Sequence, residues 1–122
     1  MYMVMFVSRD ADQATDVLDV WVKNGIGGVT ILESAGLSQL DHHYDDVGIV
    51  FSLSSLLRRH EVHHRTLFSA VKDEETLQRV VEATTAHVGD WSRPDVGVMF
   101  VWPLVTAYGL DKIFPQNKNK RK

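Results

Sequence analysis

The run Tyr2-Met-Val-Met-Phe-Val7 is the strongest constraint on what this chain can become. It has the length of one strand, and both of its parities are apolar: Tyr2, Val4 and Phe6 on one, Met3, Met5 and Val7 on the other. Side chains alternate between the faces of a sheet, so such a strand asks for burial on both sides. Gly97-Val-Met-Phe-Val-Trp102, stopped by Pro103, repeats the pattern, with Val98, Phe100 and Trp102 opposing Met99 and Val101. The chain therefore specifies a sheet with two apolar faces, and the remaining segments must cover them.

Two stretches carry helical periodicity. Asp10 offers an N-cap with Gln13 three residues on, a capping-box spacing, and Ala14, Val17, Leu18 and Trp21 then fall on one stripe before Asn24-Gly25 closes the helix. Asp73-Glu74-Glu75 opens a second helix with acidic groups at its positive end; Leu77, Val80, Val81, Thr84 and Val88 form its stripe, and Gly89 ends it. Between the helices, Val29 to Leu32 and Arg65 to Val71 read as strands, each bounded by turn or charged residues. About 25 residues separate Gly36 from the third strand, whereas loops beyond ~12–15 residues are uncommon in a compact domain unless they are functional or disordered. Val105 to Phe114 reads as an edge extension or short hairpin.

The predicted order is strand, helix, strand, long loop, strand, helix, strand. This is the split βαβ pattern (βαββαβ) of the α+β ferredoxin-like sandwich, a four-stranded antiparallel sheet with both helices on one face. Two helices cover only one face. The second apolar face then asks for a partner subunit. At 122 residues the chain reads as a single domain over residues 1–115, with an excursion at about 37–62 and a basic tail, residues 116–122, that is polar enough to be a disordered terminus. The net charge of −3 includes the tail cations Lys118, Lys120, Arg121 and Lys122, so the body is more acidic than the total and unsuited to broad nucleic-acid binding. There is no cysteine, hence no disulfide, thiolate ligand or cysteine nucleophile. Met1 to Val7 is too short for a signal peptide and no window supports membrane insertion, which makes the expected compartment cytoplasmic.

Three segments resemble one family. Gly28-Val-Thr-Ile-Leu-Glu-Ser-Ala-Gly36 is similar to the second strand and glycine turn of PII-type nitrogen-regulatory signalling proteins; Gly97-Val-Met-Phe-Val-Trp-Pro-Leu104 is similar to their last core strand, and Val71-Lys-Asp-Glu-Glu75 to their strand-to-helix junction. The resemblance spans roughly residues 1–104. It implies a non-enzymatic ferredoxin-like homotrimer that binds an adenine nucleotide or other small effector in clefts between subunits and reports occupancy to a protein target through the long loop. Carried onto this sequence, it implies Thr30 at the adenine side of the cleft, Gly36, Leu37, Ser38 and Gln39 at the base of the loop, and Gly89, Asp90, Trp91 and Arg93 where the family binds phosphate. The departures are specific. Asp90-Trp-Ser-Arg-Pro-Asp95 offers one cation between two carboxylates, Val98 stands at a position usually held by lysine, and Val105-Thr-Ala-Tyr-Gly-Leu110 replaces a basic strand. Each phosphate charge needs a paired cation or converging backbone donors. Weak ATP binding at best is therefore expected, and a ligand of lower charge paired with Arg93.

The competing signal is histidine. His60-Glu-Val-His-His64 matches H-E-x-x-H, which on a helix grips zinc and positions a glutamate to activate water. Arg65 to Val71 immediately after it has strand character, and in a strand His60 and His64 would stand ~13 Å apart. A zinc hydrolase is a poor fit, but a non-catalytic metal site using His60, His63 and His64, with His42 or His43 as further donors, is an alternative reading. Ser52, Ser54 and Ser55 fit the cap of a short helix, Leu56 to His60, and none carries the surroundings of a nucleophile. Trp21 and Trp102 fit core or interface packing, while Trp91 either stacks on a base or covers the sheet edge.

Overall fold

In the computed structural model, which describes residues 1–34, 64–112 and 114, the chain forms β1 (Tyr2–Ser8), α1 (Ala11–Lys23), β2 (Thr30–Ser34), β3 (His64–Val71), α2 (Glu74–Val88) and β4 (Val98–Pro103). One four-stranded antiparallel sheet has the order β2-β3-β1-β4, and both helices lie on one side of it. This is the α+β ferredoxin-like arrangement that the element order implies. The expected extension or hairpin at Val105 to Phe114 does not form among the described residues: the chain after Pro103 runs irregularly to a single 3₁₀ turn, Leu110–Lys112. Val105 is almost wholly exposed there, so no neighbouring strand rewards an extended conformation.

The helices cover the face that carries Val4 and Phe6. Register places Phe6 between Leu67 and Met99, and Val4 between Ser69 and Val101. Val17 and Trp21 from α1 and Val80 from α2 close over these residues, and Val4, Phe6, Val17, Trp21 and Val80 are fully buried. The core contains one polar thread. Trp21 Nε1 donates to Thr84 Oγ1 at 3.0 Å, and Thr84 donates to the Val80 carbonyl at 2.6 Å, so each buried polar atom has a partner. Thr84 thus occupies a helix-stripe position because the indole opposite it needs an acceptor.

Helix α1 is capped by Asp10, whose carboxylate accepts the Asp12 N–H at 3.0 Å. The reciprocal half of the capping box is absent, because Gln13 Oε1 lies 2.8 Å from the hydroxyl of buried Ser8 instead. Helix α2 is capped by Asp73, which accepts from the Thr76 N–H at 2.8 Å. That bond to the charged form holds the Asp73 carboxyl below the usual carboxylate range.

Among the described residues the opposite face of the sheet is apolar and carries no helix, although its Thr66, Ala70 and His64 are buried. Met3, Met5 and Val7 pair on it with Ala70, Phe68 and Thr66 on one side, and with Trp102, Phe100 and Val98 on the other. Thr30, Leu32, Ser34 and His64 complete the face. No Asp, Glu, Lys or Arg lies among these thirteen positions. Phe100 and Leu32 are each 50% exposed, Val98 49% and Trp102 39%.

Candidate functional site

Antiparallel pairing brings several chain ends to one end of the sheet. β1 and β2 leave there at Ser8 and Ser34, and β3 and β4 enter there at His64 and Val98. The loop 89–97 lies at the same end, since it delivers the chain into β4. Gly89 starts that loop with φ = 90°, a left-handed backbone that suits glycine, and donates its N–H to the Thr85 carbonyl at 2.9 Å. Gly97 finishes it. A Cβ on Gly97 would fall 2.0 Å from the Val7 carbonyl oxygen, so only glycine lets the incoming strand approach β1.

Between the two glycines the loop is held by its own side chains. Asp90 accepts from the Ser92 N–H at 2.9 Å and from the Ser92 hydroxyl at 2.7 Å, and these bonds hold its carboxyl below the ordinary range. Arg93 grips Asp95 with two bonds, Nε to Oδ1 at 3.1 Å and Nη2 to Oδ2 at 2.6 Å. The pairing raises the guanidinium pKa and lowers that of Asp95. Trp91 turns inward, its Nε1 donating to Thr85 Oγ1 at 3.1 Å and its ring meeting Phe6 edge-on, with centroids 6.2 Å apart. Trp91 is thus held between α2 and Phe6 of the inner strand β1.

Two depressions border this loop. One, of about 460 Å³, is lined by Arg9, Asp10, Gln13, Pro94 and Asp95. The other, of about 370 Å³, lies between α2 and β4 beside Trp91 and is largely apolar. Sequence reasoning missed Arg9 altogether and named Arg93 as the cation for a ligand. In the structure Arg93 is paired with Asp95, and Arg9 projects from the end of β1 to the rim of the loop. The clue was available, because any residue just after the first strand lies near the entry of a strand paired antiparallel to it.

Thr30 lies on the exposed edge strand β2, at the opposite edge of the sheet from β4. Three strand spacings of ~4.8 Å put it about 14 Å or more from the loop 89–97 within one chain. The expected site residues Thr30, Gly89, Asp90, Trp91 and Arg93 therefore do not converge on one intrachain site; Gly36, Leu37, Ser38 and Gln39 lie outside the described residues. So do His60 and His63, as does the short helix expected over Leu56 to His60. His64 is 8% exposed at the start of β3, its Nε2 has no hydrogen-bond partner, and burial, followed by the field of Arg9, pushes its pKa down. Among the described residues no three His, Asp or Glu side chains cluster as a metal site.

A scan against protein-family models finds no match to this chain, and a search of curated proteins finds none either. The class that the described residues define is thus the fold itself, an α+β ferredoxin-like domain whose second sheet face is apolar and carries no helix among those residues. Among the described residues no helix is long and apolar enough to cross a membrane.

Proposed function

We propose that this chain is a PII-like regulatory protein without enzymatic activity: a homotrimer that binds a small effector of low charge in clefts between subunits and passes the signal to a protein target through residues 37–62. The observation that carries this reading is the uncharged apolar face of the sheet. A side of four strands without one formal Asp, Glu, Lys or Arg charge, bearing half-exposed Phe100, Leu32 and Val98, suits burial against further copies of the same chain. The position of Thr30 agrees with this. It lies at the far edge from loop 89–97, so the two can complete one site only when β2 of one subunit approaches β4 of the next.

The effector is expected to be less charged than ATP. Asp90 and Asp95 are ionised at the loop surface, Arg93 is paired with Asp95, and among the described residues Arg9 is the cation left at the rim to meet an anionic group. Light scattering coupled to gel filtration tests the assembly: about three chains per particle are expected, and a monomer at micromolar concentration would remove the intersubunit site. A thermal-shift series with ATP, adenosine, 2-oxoglutarate and bicarbonate tests the ligand, since a molecule that binds only the native state raises the melting temperature. The largest shift is expected from one of the less charged compounds. A larger shift with ATP that survives Arg9→Ala would overturn the charge argument.

A further inference from the structure

The apolar pocket beside Trp91 has a structural cause. Helix α2 packs on α1 and β3 through Val80, Thr84 and Val88, which leaves the next positions around the helix, Val81 and Thr85, directed toward β4. β4 is the terminal strand of the sheet; Met99 and Val101 on its helix-facing side form the opposite wall, with Gly97 and Val98 at the strand's start. Trp91 closes the end. The resulting space is about 370 Å³, inside the ~300–1,000 Å³ range of small-molecule sites. Its lining is mostly apolar, so the water it holds meets walls that largely cannot hydrogen-bond, and release of that water favours an apolar occupant.

We propose that this pocket binds an uncharged, flat, largely apolar small molecule, oriented by a single hydrogen bond from the Thr85 hydroxyl. Thr85 Oγ1 accepts the Trp91 indole N–H at 3.1 Å, which fixes the ring, and the hydroxyl keeps its own hydrogen to donate to a carbonyl or ring nitrogen. Among the described residues no charged side chain lines the space. An anion inside it would lose its hydration without gaining a counter-charge, because the Arg93 guanidinium is held by Asp95. All of its lining residues come from one chain.

The test uses the full chain and the neutral fluorophore N-phenyl-1-naphthylamine, whose emission rises when it leaves water. Saturable binding of about one probe per chain is expected, with no displacement by ATP. Val81→Phe and Val101→Phe each place a ring in the pocket from a partly exposed position, and each should weaken binding about tenfold or more without lowering the melting temperature. Phe100→Ser, on the opposite face of the sheet, should leave binding intact. Absence of saturable binding would overturn the proposal, as would binding that survives both filling variants, is lost in Phe100→Ser or is competed by ATP. Light scattering on the same samples separates the two proposals: a trimer that does not bind the probe defeats this one, and a monomer that binds it defeats only the assembly.

Discussion

The two faces of the sheet are built from the same strands and differ in what covers them. On β1, Val4 and Phe6 are fully buried beneath the helices, while Met3, Met5 and Val7, one residue out of phase, are partly exposed. On β4 the uncovered face presents Phe100 and Trp102 to solvent. Composition does not separate the faces, since each holds large apolar side chains. What separates them, among the described residues, is that only one has helices above it. The covered face stabilises the single chain; the uncovered face can contribute its apolar area, at ~25 cal/mol per Å², only when something else removes it from water.

The largest effect that could break this contrast comes from equivalent truncations on the two sides. Phe6→Ala should destabilise the chain by about 3–5 kcal/mol, because a fully buried ring leaves a cavity among Trp21, Leu67 and Trp91. Phe100→Ala, at a half-exposed position, should lower the stability of a dissociated chain by about 1 kcal/mol or less. Urea denaturation at low protein concentration measures both, and equal losses would mean that the faces are not distinct. Phe100→Asp sharpens the comparison further. The substituted chain should keep its far-ultraviolet circular dichroism yet run as a monomer, because a carboxylate is tolerated in water and not between subunits; a particle of unchanged mass would place the interface elsewhere.

A smaller effect is expected from the polar thread under the helices. Trp21→Phe preserves an aromatic ring but removes the donor to Thr84, and should lower stability by about 1–2 kcal/mol in the same titrations. Thr84 still donates to the Val80 carbonyl, which keeps the loss below that of a fully orphaned buried group. No loss at all would show that the buried bond contributes nothing net.

The smallest effect belongs to the side without described helices, where His64 is the only titratable group among the thirteen described positions of the face. Its pKa in the folded chain lies below the ordinary value of 6.5, so the folded state favours the neutral imidazole. The unfolded chain takes up the proton first as pH falls. Stability contributed by the neutral side chain is therefore full above pH ~6.5 and declines below it until the lower folded pKa is passed. Thermal melts between pH 7.5 and 5 should show a steeper decline for the native sequence than for His64→Gln. Parallel pH profiles would remove His64 as the cause.

Much of this architecture follows from short-range signals. Asp10 and Asp73 cap the helices, Val80, Thr84 and Val88 lie on the predicted stripe, and the doubly apolar runs at both ends of the chain become adjacent strands β1 and β4. These features act over two to four residues, and backbone geometry turns them directly into faces and ends. Several things were decided only by pairing between distant segments. The order β2-β3-β1-β4 sends Thr30 and loop 89–97 to opposite edges, brings Arg9 beside Pro94 and Asp95, and buries His64 without a partner for Nε2. The segment after Pro103 forms no further strand among the described residues. Val81, Thr85, Trp91 and Val101 form a pocket although nothing in their local spacing links them. Local periodicity fixes which way a side chain points from its own element; which element stands opposite depends on contacts more than sixty residues apart, such as Phe6 with Leu67, Trp21 with Thr84 and Val7 with Val98, and no local pattern encodes those.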